Sequence, residues 1–136
     1  MLEGKEKAAQ KKKKKSQLHN FKHFNSKIND ESVLIHAEIS IYPIGTNDTS
    51  VSFYIAKGIE AIQNIKEIRY ELNSMGTILE SENIDKIYEA AKIIMEVVHN
   101  LGVNRVEVIL KIDSRKDKQV KMEEKLESIK KHLSKK

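Results

Sequence analysis

Tyr70-Glu-Leu-Asn-Ser-Met-Gly-Thr-Ile-Leu-Glu80 holds two short extended runs and the turn between them. Ile68, Tyr70 and Leu72 alternate with Glu67, Arg69 and Glu71, the period-two pattern of a half-buried strand. Asn73 and Ser74 break that pattern. Gly76 is free to take a backbone conformation closed to other residues, and Thr77, Ile78 and Leu79 resume extended character, so the segment reads as a hairpin. A hairpin alone is marginal in water and needs partner strands and a helical cover.

The flanking sequence supplies both. Upstream, Val33 to Tyr42 alternates as a strand, with Ile35, Ala37, Ile39 and Ile41 on one side and His36, Glu38, Ser40 and Tyr42 on the other, and Pro43 is expected to end it. A loop follows in which Asp48, Thr49 and Ser50 are competent helix caps, so a helix is expected to start about there. Val51, Tyr54, Ile55, Gly58, Ile59 and Ile62 form its apolar stripe, in which Gly58 suggests close contact with another backbone.

Downstream, Ser81 to Asn83 offer caps to a second helix carrying Ile84, Ile87, Ala91, Ile94, Val98 and Leu101, which Gly102 stops. Val103 to Asp113 is the last strand, with Val106, Val108, Leu110 and Ile112 facing the core and Arg105, Glu107, Lys111 and Asp113 opposite. Lys116 to Lys136 reads as a further helix whose narrow stripe of Met122, Leu126, Ile129 and Leu133 needs a partner. The order βαββαβ predicts an α+β ferredoxin-like plait with a four-stranded antiparallel sheet, in which the strands from Val33 and Gly76 are expected to be central and parallel. Both helices cover the Ile/Val face, leaving a mixed polar face open.

At 136 residues the chain is one domain's worth, divided here into an arm, 1–32, and a domain, 33–136. The arm carries nine Lys against four acids and the remainder has equal numbers of each, so the whole excess of +5 lies in the arm. A flexible lysine-rich arm is expected, able at most to grip RNA or another acidic surface weakly, while the neutral domain gives no support to nucleic-acid binding. Cysteine is absent, which excludes disulfides and thiolate metal sites and fits a reducing, cytoplasmic setting. No apolar run has the length to span a bilayer.

No catalytic constellation, glycine-rich phosphate loop or metal-ligand spacing stands out, so an enzyme is not expected and no cofactor or metal is called for. His19 and His23 are spaced i,i+4 but lie in the arm, and His36 projects toward the open face. The charges of the open face, Glu38, Glu71, Glu107 and Asp113 with Arg69, Arg105 and Lys111, fit a cross-strand ion-pair lattice. They equally fit a polar floor for a small cationic ligand, with Tyr42 as an aromatic face and Ser40 as a hydroxyl.

Four separated motifs then fall in order: Ile39-Ser-Ile-Tyr-Pro-Ile-Gly-Thr46, Thr49-Ser-Val-Ser52, Tyr70-Glu-Leu-Asn-Ser-Met-Gly-Thr77 and Lys111-Ile-Asp113. Together, over about Leu34 to Leu133, they resemble the small single-domain thiamine-binding proteins related to YkoF. Ser74 stands where that family usually has Pro and Ser81 where it often has Gly; both changes loosen turns without removing a ligand group. The resemblance implies a ferredoxin-like domain that oligomerises through its sheet, as a dimer or tetramer, and binds thiamine or its hydroxymethylpyrimidine part as carrier or sensor, without chemistry of its own. Motif membership and strand geometry nominate Glu38, Ser40, Tyr42, Thr46, Ser50, Ser52, Tyr70 and Thr77 as the ligand-binding residues. In the other reading the chain is a homo-oligomeric interaction protein docked by its basic arm.

Overall fold

The computed structural model describes residues 5–12 and 33–133. Residues 5–12 form a short helix, α1, with every residue exposed. The rest of the arm lies outside the described residues, including Lys13 to Lys15, the His19/His23 pair and Leu18, Phe21 and Phe24.

The domain runs β1 (Ile35–Ile44), α2 (Ser52–Ile62), β2 (Arg69–Leu72), β3 (Thr77–Ser81), α3 (Ile84–Asn100), β4 (Arg105–Ser114) and α4 (Met122–His132). The strands form one sheet in the order β2-β3-β1-β4, with every neighbouring pair antiparallel. This is the ferredoxin-like plait. The central strands β1 and β3 are antiparallel, which corrects the expectation that they run parallel. Each crossover returns a strand parallel to its start but two places across, and the hairpin between the crossovers reverses direction, so β3 must oppose β1.

The core follows from the alternation. Ala37, Ile39 and Ile41 from β1 and Leu79 from β3 meet Ile59 and Ile62 of α2 and Ile87, Ala90, Ile94 and Val98 of α3, all buried. Gly58 lets the two helices approach, since a Cβ there would come within 2.9 Å of Ile94 Cγ2. The close contact is with a side chain, where the sequence suggested a backbone.

Three local expectations need adjustment. β1 continues through Pro43 to Ile44, because β3 pairs with β1 only as far as Ile39 and the edge beyond is open, where a missing N–H costs nothing. The Asp48 carboxylate accepts from Ser50 N at 3.0 Å, closing a turn within the loop, and α2 begins after Val51 with no side-chain cap. Gly76 is outside the left-handed region, which among the described glycines holds Gly45 and Gly102. The hairpin is instead closed by Asn73 N–H donating to the Gly76 carbonyl at 2.9 Å. Asn83 does cap α3, accepting from Asp85 N at 2.9 Å.

Candidate functional site

The sheet face turned away from α2 and α3 is built of cross-strand rows. The first row runs Arg69, Glu80, His36, Asp113 across all four strands. Glu80 is 1% exposed and is the acceptor for three donors: His36 Nε2 at 2.8 Å, Arg69 Nε at 3.0 Å and the Met122 backbone N–H at 2.8 Å. Burial on its own pushes the Glu80 carboxyl up, but the bonds from His36 and Met122 with the charge of Arg69 outweigh it and hold the group below the ordinary carboxylate range.

This row is where α4 docks. Arg69, on edge strand β2, continues from Glu80 to the Glu123 carboxylate, with Nη2 to Oε2 at 2.9 Å. At the opposite edge Lys125 pairs with Asp113 of β4. The first turn of α4 therefore straddles the sheet, clamped at both edges and in the middle. Hydrogen bonds from these partners hold Glu123 and Asp113 below their ordinary ranges. His36, read as facing the open side, does so but is buried beneath this turn.

The rows beyond the clamp stay open. Glu71, Ile78, Glu38 and Lys111 form the second, Ser40 faces Ile109 in the third, and Tyr42 faces Glu107 in the fourth. Lys111 Nζ is 3.8 Å from Glu38 Oε1, a cross-strand pair of the kind expected, whereas Arg105 lies 3.5 Å from Glu107 on the same strand. The Ser40 hydroxyl donates to the Met75 carbonyl at 3.2 Å, which brings the β2–β3 turn onto this face. Tyr42 and Ile109 are large exposed side chains here.

The eight nominated residues thus separate into three places. Glu38, Ser40 and Tyr42 are successive outward positions of β1 on the open face. Thr46 and Ser50 lie on the β1–α2 connection and Ser52 opens α2; there Thr46 Oγ1 donates to the Asp48 carbonyl at 3.0 Å and the Ser50 and Ser52 hydroxyls are 2.8 Å apart. Tyr70 and Thr77 lie on the helix-covered face: Tyr70 OH accepts from Gln63 Nε2 at 3.2 Å, and Thr77 is buried opposite Ile39. The structure brings the first three together and keeps the last two on the far side of the sheet. The sequence reading missed Glu80, Ile78 and Ile109 on the open face. Alternation contains the signal for each, since Leu79 and Leu110 facing the core turn Ile78, Glu80 and Ile109 outward.

Among the described residues there is no group of three or more His, Asp or Glu side chains placed to hold a metal ion. No described helix is long and apolar enough to cross a membrane.

The chain is similar to proteins of several microorganisms. It is 41% identical over 100 residues to a UPF0045 protein of Methanothermobacter thermautotrophicus, covering 74% of this chain and all of that one. It is 39% identical to the UPF0045 protein YqgV of Bacillus subtilis over 71% of this chain and 95% of the relative. The crystal structure of protein MJ1052 of Methanocaldococcus jannaschii superposes with a TM-score of 0.65 at 42% identity, over 71% of this chain and 96% of that one. A Thermotoga maritima structure named for thiamine biosynthesis or salvage shares the fold, with a TM-score of 0.59 at 21% identity over 71% of this chain and 98% of that one. The model of one family, described as thiamine-binding protein, matches residues 37–130, the whole span from β1 into α4. By that match and by its relatives, the chain belongs to the thiamine-binding protein family.

Proposed function

We propose that the chain is a non-catalytic binding protein for thiamine or its hydroxymethylpyrimidine part, acting as carrier or sensor, and that the ligand rests on the open sheet face beyond the α4 clamp. The observation that carries this reading is the run of Glu38, Ser40 and Tyr42 along one strand, left uncovered by α4. Thiamine joins a permanently cationic thiazolium to a flat aminopyrimidine. A carboxylate and an aromatic face suit the cation, and oxygen acceptors suit the amino group. Membership of the family supports the ligand class.

The same face carries exposed Ile109, Tyr42 and Ile44, and beyond its clamped first turn α4 carries exposed Leu126 and Ile129, followed by exposed Leu133. Such surface favours pairing of two copies, as a dimer or tetramer, which would enclose a ligand lying on the face. Calorimetric titration of thiamine, its diphosphate and the free pyrimidine into the full chain tests the reading. Saturable heat with thiamine is expected, and silence with all three would reject it.

A further inference from the structure

The turn between β2 and β3 reaches the open face at two of the residues that the thiamine reading uses. Ser40 Oγ is 3.2 Å from the Met75 carbonyl oxygen. A carbonyl can only accept, so the single hydroxyl proton of Ser40 is committed to it, and the hydroxyl meets a ligand with lone pairs alone. One residue on, a Cβ built at Gly76 would lie 3.1 Å from Glu38 Cγ, 3.1 Å from Ser40 Oγ and 3.3 Å from the Ile39 carbonyl oxygen. The backbone of Gly76 is one that other residues adopt. What favours glycine is the space, since any Cβ there would press on Glu38 and Ser40 and shift them.

The consequence is a pair of neighbouring groups that only accept hydrogen bonds. Glu38 offers a carboxylate, and Ser40 offers lone pairs beside it. Lys111, the cation nearest Glu38 on that row, stands 3.8 Å away with a 78% exposed side chain, a loose pairing that a bound cation can displace.

We infer that the β2–β3 turn is the positioning element of this site: Gly76 seats Glu38 and Ser40, and the Met75 carbonyl fixes Ser40 as an acceptor, so the face selects cationic ligands by the hydrogen-bond donors they carry. This rests on the thiamine reading and deepens it, since it names the part of the ligand that is read. Ligands that present a carbonyl where thiamine presents its amino group meet acceptor against acceptor.

Thiamine and oxythiamine separate the two ideas, because both carry the thiazolium while oxythiamine has a carbonyl in place of the pyrimidine amino group. Titrated into the full chain, thiamine is expected to bind at least about tenfold more tightly, the difference one unmatched hydrogen-bonding group makes at a site built around it. Gly76→Ala, whose Cβ would press on Glu38, Ser40 and the Ile39 carbonyl, is expected to weaken thiamine about fivefold or more. Ser40→Ala is expected to narrow the thiamine to oxythiamine ratio while leaving the melting temperature near that of the wild type, a change of selectivity that a merely structural role would not produce. Should Gly76→Ala fail to fold, Ser40→Ala and the wild-type ratio decide. Equal binding of the two ligands by the wild type would overturn this inference and leave the thiamine reading standing. Thiamine preference that survives both substitutions intact would remove the turn from the site. No binding of either ligand would overturn both.

Discussion

Tyr42 stands exposed on the open face two positions along β1 from Ser40, and its ring is the aromatic surface on that row. A cation laid against it gains about 0.5–2 kcal/mol, so Tyr42→Ala is expected to weaken thiamine by roughly two- to thirtyfold, within reach of titration. Glu38→Gln keeps the shape of the side chain and removes its charge. It is expected to weaken thiamine more than the uncharged pyrimidine alone; equal losses would mean that Glu38 meets only the pyrimidine common to both, and no loss with either would mean that it serves the sheet and not the ligand. Both predictions concern single side chains whose outward direction follows from the period of a strand. Tyr70 and Thr77 show the limit of that logic. Their motif was legible, but they fall on the opposite parity from Glu38 once the register pairs Glu38 with Ile78 and Ile39 with Thr77.

At the scale of elements, α4 and the row beneath it form one unit. Removing the Glu80 carboxylate leaves His36 and the Met122 N–H without an acceptor under the helix, and breaking a buried charged cluster in this way costs about 3–5 kcal/mol. Glu80→Ala should therefore lower the denaturation midpoint markedly. Acid probes the same clamp. Glu80, Glu123 and Asp113 are all held below their ordinary ranges in the folded chain, so they contribute stability that is present above their unfolded values, near 4.5 for Glu and 3.8 for Asp. That stability is lost as pH falls through the lower folded values. The melting temperature should hold steady from pH 7 to 5 and drop below about 4.5, and Glu80→Ala should show a shallower drop. A steeper drop in the variant would contradict the clamp.

The elements themselves were legible because each depends on local periodicity: the alternation around Tyr70, the stripe of α3 and the Asn83 cap are all properties of neighbouring residues. The clamp was not, because it joins Glu80 to Met122 and Arg69 to Glu123 across long sequence separations, and only the folded register brings them together. The exposed part of the α4 stripe was legible as unpartnered. The part that docks, Met122, was not distinguishable from it by spacing.

For the whole molecule, the surface left on one plait is more apolar than a solitary domain needs, with Ile109 on the sheet and Leu126 and Ile129 on α4 all more than half exposed. Light scattering at micromolar concentration should give a mass above the chain's 15.7 kDa. Ile109→Lys or Leu126→Lys should shift it toward the monomer, and a wild-type monomer would reject self-association. The placement of thiamine on the open face beyond the clamp is checked by adding thiamine to the uniformly 15N-labelled chain and following the backbone amide resonances. Amides at Glu38, Ser40, Tyr42, Gly76 and Ile109 are expected to move together along one saturation curve. Movement confined to Thr46 through Ser52, or no movement at all, would contradict it.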